Sequence, residues 1–460
     1  MKKIFIYGAP ASGKSRLERL LAEAINETAE DLDATIYRKT KKLSSDIIIE
    51  QGEQEFRKIE SKVLREVVAK SDAQIIALGG GTLLDKKNLE YCREHGEIVC
   101  IDTPPEKELM FWIRKDGKVR PLGDQSKARA EHYASFKRTI HSVFDDCGTL
   151  TIVGENIADL FLSGEKVVAD QKVARLRPWG EKPIFKVPSG EKYKNLETLS
   201  KIWSAFNKHS LGRKDRVVAL GGGVTGDMVG FAAATWMRGI DWINIPTTLI
   251  AMTDAGIGGK TGIDLPEGKN LVGAFHLPRL TVVDLKYVDT LPASEANNWI
   301  GELTKCLIID RDRNLLNKIE TSRSTQSTLS ALIKFKLDII GDDVADSKGR
   351  RAVLNYGHTI GHAIEKASNY TISHGYAVAI GCVQEAYLAY KLGLASAKFA
   401  ECVEGLFAKQ GLPTQYPAGM SFKKLIPYML RDKKKTGENE VEFALPYEFG
   451  DVRMTKVKLR

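Results

Sequence analysis

The sequence predicts an α/β chain in three parts: a three-layer α/β domain on a phosphate-binding loop over residues 1–160, a Rossmann-like α/β domain over 166–290, and an α-helical metal-binding domain over 291–460. Three observations predict this. At 460 residues the chain exceeds one ordinary core, and such a length corresponds to about three domains. Strand-like runs end twice in glycine turns that open helices, at Gly8 and at Gly221, the arrangement that binds phosphate in open α/β sheets. Three of the eight histidines then fall between Arg351 and Gly381.

Composition narrows the function classes. A hydrophobic share of 43% with 28% charged residues is that of a soluble globular protein. The six cysteines are scattered without a CxxC pair, so neither a zinc ribbon nor a disulfide framework is expected and a reducing compartment is. The apolar run in MKKIFIYGAPASGK is too short for a secretory signal. No other run approaches the ~18 apolar residues of a membrane span, so the expectation is a cytoplasmic protein without a membrane partner. The net charge of +9 and pI near 9.0 suit anionic ligands. The basic runs Lys39-Thr40-Lys41-Lys42 and Lys433 to Lys435 lack interleaved aromatics and any nucleic-acid module, so no nucleic-acid partner is expected.

Taken in order, Lys2 to Tyr7 reads as a strand that runs into Gly8, Ala9, Pro10, Ala11, Ser12, Gly13, Lys14 and Ser15. In such a loop backbone amides cradle phosphates, Lys14 reaches the terminal ones and Ser15 takes magnesium. DLDATI then offers Asp31 and Asp33, two apart, which an extended segment places on one side. GEQEFRKIE brings Arg57 onto a helix, and IIALGGGT delivers Gly79, Gly80 and Gly81 at a strand end. An arginine fork suits a carboxylate.

In that order these motifs resemble shikimate kinase over roughly residues 1 to 155, a P-loop kinase. The resemblance implies ATP with Mg2+ at the loop, Asp31 near the magnesium, and Asp33, Arg57, Gly79 and Gly80 around shikimate. KVRPLGD resembles the start of the family's lid, whose arginine over ATP is here Arg120; a further substrate arginine falls on Arg138, with Arg129 as the alternative. The sequence has Ala11 where the family commonly has glycine.

Between Thr151 and Lys166 a new alternation begins, and no Pro/Gly/Ser-rich linker intervenes, so the two parts should sit close together. RVVALGGGVTGDMVGF is a strand, a glycine turn and a helix, in which Gly221, Gly222 and Gly223 let the backbone approach a pyrophosphate. His358 and His362 stand four apart, so a helix presents both on one face. With His374 and a carboxylate from elsewhere they make a candidate catalytic zinc site, in which an open position remains.

From about Lys166 to the C-terminus the chain resembles 3-dehydroquinate synthase. The resemblance implies an NAD+ site from Ser189, Gly190, Glu191, Lys192, Tyr193 and Lys194, then Gly222, Gly223, Val224, Thr225, Gly226 and Asp227, with Thr247, Thr248, Lys260 and Lys269. It implies Zn2+, with Co2+ as an alternative, on Glu302, His358 and His374. It places Asp254, Lys260, Lys305 and His362 in catalysis, His362 as a proton-handling group outside the metal's ligands. The heptulosonate phosphate substrate falls to Asp254, Lys260, Lys269, Asn270, Lys336, Arg351, Asn355 and Lys433 or Lys434. Arg238 matches an arginine that reaches the neighbouring subunit's substrate, so a homodimer through this part is implied. Two departures are Ala255-Gly256 for a pair of serines and Tyr376 for a glutamate. The part is also short at its start, which leaves a sheet edge to be covered.

The expectation is a bifunctional enzyme that phosphorylates shikimate with ATP and converts 3-deoxy-arabino-heptulosonate 7-phosphate to 3-dehydroquinate with phosphate release. The alternatives are a kinase fused to a related NAD- and zinc-dependent sugar-phosphate cyclase or polyol dehydrogenase, and a chain in which one half has become a binding module.

Overall fold

Strand β1 (Lys3–Gly8) is buried along almost its whole length, as a central parallel strand covered by helices on both faces must be. The computed structural model describes residues 2–102, 129–176, 182–310, 315, 325–341, 343–347, 349–430, 435–437 and 439–459. Short β2 (Ala29–Asp31) and β3 (Ile75–Ala77) lie to one side of β1, and β4 (Gly96–Ile101) to the other, all parallel. Next come the hairpin strands β5 (Thr139–Asp146) and β6 (Thr149–Glu155), then β7 (Val167–Asp170), β8 (Phe185–Val187), β9 (Arg216–Gly221) and β10 (Asp241–Pro246). A two-stranded ribbon, β11 (Lys260–Leu265) and β12 (Gly268–Phe275), precedes β13 (Leu280–Asp284).

The two α/β parts share one eleven-stranded sheet in the order β2-β3-β1-β4-β5-β6-β13-β10-β9-β7-β8. The join is the β5–β6 hairpin, which lies inside the expected 1–160 segment. β5 runs parallel to β4 and antiparallel to β6, and β6 runs parallel to β13 from Leu150↔Leu280 to Gly154↔Asp284. The hairpin therefore covers the β13 edge of the second part's strands, which would otherwise be open. It also reverses the sheet's direction, so strands of the first part point opposite to those of the second.

One hydrophobic cluster crosses the join. Leu17, Leu21 and Ile25 of the helix Lys14–Ile25 pack with Leu150 and Ile152 of β6, Val218 and Leu220 of β9, and Leu280 and Val282 of β13. Arg216 adds a polar tie, binding Glu165 and donating to the carbonyl of Ile25. The third part stacks the helices His358–Ala367, His374–Lys391 and Ala397–Lys409. Expected as helical, it also carries a three-stranded antiparallel sheet, β14 (Lys435–Gly437), β15 (Glu440–Glu448) and β16 (Asp451–Lys458). Among the described residues no helix is long and apolar enough to cross a membrane.

Because Ile152 is fully buried in the cluster that spans the join, Ile152→Ala should cost about 2–5 kcal/mol and lower a single calorimetric transition. Two transitions, only one of them shifted, would show that the halves unfold independently.

Candidate functional sites

The first site stands at the carboxyl ends of β1 and β3. Gly8, Ala11 and Gly13 have φ of 145°, 60° and 91°, a turn that aims backbone amides inward. Ala11 thus adopts the left-handed conformation that glycine takes at no steric cost. Lys14 Nζ lies back over the loop, donating to the carbonyls of Gly8 (3.0 Å) and Ala9 (2.7 Å). Ser15 Oγ donates to Asp31 Oδ2 at 2.5 Å. Asp31 also caps the helix Leu32–Thr40 through the amide of Ala34. The carboxylates do not share an extended segment as expected: Asp31 ends β2, while Asp33 is in the helix and accepts from Ser44 Oγ at 3.0 Å.

A second group of charges closes the other side of this pocket. Arg57 donates to Glu60 Oε2 at 2.7 Å and to Glu53 Oε1 at 3.1 Å. Two of the three glycines lie close to these charges: a Cβ on Gly81 would stand 2.3 Å from Arg57 Nη2, and one on Gly79 would stand 2.7 Å from Glu60 Oε1. Gly80 offers its carbonyl to Tyr133 Oη at 2.7 Å.

Arg138 is not in this pocket. Its guanidinium binds both oxygens of Asp159 at 2.9 and 2.8 Å and Glu97 at 3.2 Å, ties that fasten the start of β5 to the segment after β6. Arg129, the alternative, is 8% exposed and stands 4.0 Å from the same Glu53 oxygen that Arg57 contacts. Arg120, Lys433 and Lys434 lie outside the described residues.

On the opposite edge of the sheet, β9 ends at Gly221, and Gly222 caps the helix Gly223–Thr235, so the amides of Val224, Thr225 and Gly226 lie in its first turn. Thr247 N bonds the Gly221 carbonyl at 2.9 Å, and the methyl of Thr248 would sit 3.1 Å from a Cβ on Gly222. The Ser189–Lys194 turn arrives beside them. Ser189 Oγ donates to Asp170 at 3.0 Å, Lys192 covers the Tyr193 ring, and buried Lys194 bonds Asp227 and Asn270. Gly222, Gly223, Gly226, Asp227 and Lys260 line one recess.

From Lys260 the site continues as a cluster of cations. Lys260 pairs with Asp346 at 2.8 Å. Burial lowers its pKa, with Arg351 and Lys336 nearby pushing the same way and Asp346 opposing. Lys336 binds the side chain of Asp254 and, at 2.6 Å, its carbonyl. Arg351 is 2% exposed and donates to the carbonyls of Gly258 (3.1 Å) and Val344 (2.8 Å). It stands on a 3₁₀ turn with half-buried Asn355, before left-handed Gly357 opens the histidine helix. Lys269 stands 3.4 Å from both Glu191 and Glu365. Arg238 is exposed on a left-handed turn with Met237.

Glu302, His358 and His374 converge. Their ligand atoms lie within 4.8 Å of one another, with Glu302 Oε1 at 3.3 Å from His358 Nε2 and 3.2 Å from His374 Nε2. Each imidazole is held from behind, His358 Nδ1 by the Tyr356 carbonyl at 3.1 Å and His374 Nδ1 by Glu365 at 3.3 Å. Metal-ligating histidines are oriented in this way. The crossing of helices Ala293–Ile309 and His374–Lys391 brings Glu302 to His374, since a Cβ on Gly375 would meet the Asn298 carbonyl at 2.1 Å, and His358 arrives on the helix His358–Ala367, where a Cβ on Gly361 would meet the Ala377 carbonyl at 3.1 Å.

Burial, then the charge of Lys305, lowers His358 to about 4, so a neutral imidazole faces Glu302. Burial opposes a charge on His374, but Glu302 and Glu365 outweigh it and lift it to about 10. Burial would raise Glu365, yet His374 and Lys269 bring it down to about 2. Lys305 sits 2.5 Å from Glu302 Oε2. The donor set of two imidazoles and one carboxylate fits zinc. His362 stands with its ring 5.3 Å from that of His358, in a second group with Glu365 and His374. Tyr376 packs into the helical core.

Sequence reasoning missed Glu365, Asp346 and Glu60. Glu365 carried a signal, since positions 358, 362 and 365 share one helix face; Asp346 and Glu60 carried none.

The shikimate kinase family model matches residues 10–160. The models for the N-terminal and C-terminal parts of 3-dehydroquinate synthase match residues 184–298 and 300–435. The 3-dehydroquinate synthase of Nostoc punctiforme is 41% identical over 328 residues, 66% of this chain and 89% of that protein. That of a Synechococcus is 44% identical over 281 residues, 58% of this chain and 76% of that protein. Among solved structures, a 2-epi-5-epi-valiolone synthase from Streptomyces hygroscopicus with NAD+ and Zn2+ bound superposes with a TM-score of 0.59 at 25% identity, covering 68% of this chain and 94% of that one. A 2-deoxy-scyllo-inosose synthase complexed with carbaglucose-6-phosphate, NAD+ and Co2+ does so with 0.61 at 24%, covering 69% and 97%.

If Glu302, His358 and His374 are the ligands, His358→Ala and His374→Ala should each purify with at least about tenfold less zinc by mass spectrometry, whereas His362→Ala should keep it. Loss of zinc on changing His362 alone would move that residue into the ligand set.

Proposed function

We infer two active sites of separate chemistry for this chain, which belongs to the 3-dehydroquinate synthase family and carries a shikimate kinase domain in its first third. The relatives at 41% and 44% identity bear the synthase name, so the second half is a dehydroquinate synthase and neither a polyol dehydrogenase nor another cyclase. The observation that carries the reading of two sites is the reversal of strand direction at the β5–β6 hairpin. Ligands of open α/β sheets bind beyond the carboxyl ends of the strands, so the phosphate loop after β1 and the glycine turn after β9 open on opposite edges.

In the kinase site the loop amides and Lys14 hold the phosphates of ATP, and Ser15 with Asp31 holds Mg2+. Arg57 takes the carboxylate of shikimate and Asp33 its hydroxyls. Arg129, beside the same Glu53, is the better second substrate arginine, and Arg138 is a structural tie.

In the synthase site the Ser189–Lys194 turn, the Gly222–Asp227 turn and Thr247 with Thr248 bind NAD+, which supplies a reversible hydride acceptor. Zinc on Glu302, His358 and His374 would supply a Lewis acid for the substrate's hydroxyls and carbonyl. Lys260, Lys336 and Arg351 present three cations that suit a phosphate and a carboxylate. Asp254 orients Lys336, and His362, outside the ligand set, handles protons. Exposed Arg238 fits the implied reach into a second subunit of a homodimer.

Arg57→Lys keeps the charge and loses the fork, so the shikimate KM should rise about tenfold to a hundredfold while the ATP KM changes little. Arg129→Lys should do the same, and Arg138→Lys should lower thermal stability with both KM values near wild type. An Arg138→Lys effect confined to the shikimate KM would restore that residue to the pocket.

Lys14→Ala should cut phosphoryl transfer by at least roughly a hundredfold and leave phosphate release from the heptulosonate phosphate intact, and Lys260→Ala should do the converse. One folded variant that silences both activities would overturn the separation of the sites.

A further inference from the structure

The helix that begins at the phosphate loop carries two carboxylates that the site has not used, exposed Glu23 and Glu18. Glu18 comes one turn after Ser15, so the two share a face. It is 8% exposed, and it forms no hydrogen bond or ion pair among the described residues. Nearby Glu30 shows the usual alternative, bonded by Thr35 and Arg38. Glu18 instead lines a recess of about 490 Å³ together with Ser15 and Asp31, with exposed Arg16 and Arg19 at its rim.

With no protein donor on it among the described residues, the Glu18 carboxylate is left to the water of this recess, and a second carboxylate beside it adds repulsion. A divalent cation between them removes that repulsion. Magnesium keeps several of its waters and takes one or two protein carboxylates along with phosphate oxygens. Ser15 and Asp31 already touch each other at 2.5 Å, which marks where that cation would sit.

We propose that Glu18 is a second magnesium-side carboxylate of the kinase site, positioning with Ser15 and Asp31 the divalent cation that accompanies ATP. This rests on the reading of the first site as a kinase. Glu18 touches the cation or its coordinated water and not the acceptor, so its removal weakens metal binding in the nucleotide complex and leaves the metal-free nucleotide site in place.

The test is equilibrium Mn2+ binding to the full chain saturated with ADP, read by electron paramagnetic resonance of free Mn2+, for wild type, Glu18→Gln and Glu18→Ala. Both variants should bind Mn2+ about tenfold more weakly, with ADP affinity in chelator equal to wild type or tighter, since a negative charge near the phosphates has gone. Unchanged Mn2+ affinity in Glu18→Gln overturns the proposal. Equal loss of ADP affinity with and without metal also overturns it, because Glu18 would then only support the loop. A wild-type chain that binds no ADP under either condition would instead overturn the kinase reading.

Discussion

The β5–β6 hairpin is the constraint on which the architecture of this chain depends. Its first strand completes the kinase sheet against β4 and its second completes the dinucleotide sheet against β13. A hairpin must reverse direction, so the two parallel halves of the sheet run opposite ways. That single constraint separates the phosphate loop from the NAD turn by the height of the sheet. It also satisfies the backbone groups of two strand edges that would otherwise be open to pairing with another chain.

The same hairpin explains why the two parts share a core. Leu17, Leu21 and Ile25 of the phosphate-loop helix bury their side chains against β6, whose neighbour β13 belongs to the synthase. Apolar burial at roughly 25 cal/mol per Å² therefore stabilises both halves through the same residues. Arg138 and Arg216 reinforce the join by binding Asp159 and Glu165 on the segment that leaves the hairpin.

In the synthase site, acidic side chains hold the cations that ligands would otherwise engage. Lys305 lies on Glu302, Lys336 on Asp254, Lys260 on Asp346, Lys269 near Glu365 and Lys194 on Asp227. A charge taken out of water without a partner is expensive, so each of these lysines is held by an acid, whereas Arg351 is held by the carbonyls of Gly258 and Val344. His358 is the exception in sign: burial and Lys305 keep it neutral, about 4, which leaves a lone pair for a metal at neutral pH.

Local chemistry was legible in the sequence. The phosphate loop, the glycine turn of the NAD site and the histidines at 358 and 362 are set by short spacings that a strand, turn or helix converts directly into geometry. Lys260 and Lys269 entered only through the resemblance to the synthase family, and the β11–β12 ribbon carries them. Tertiary structure alone set where Arg129 and Arg138 go: one folds back beside Glu53 and the other is claimed by Asp159, which is 21 residues farther along. It alone brought Glu365 behind His374 and Asp346 to Lys260, and joined β5 to β4 and β6 to β13. Periodicity records which face a residue takes on its own element, whereas the partner across a sheet or helix crossing depends on how distant segments pack, which no local pattern encodes.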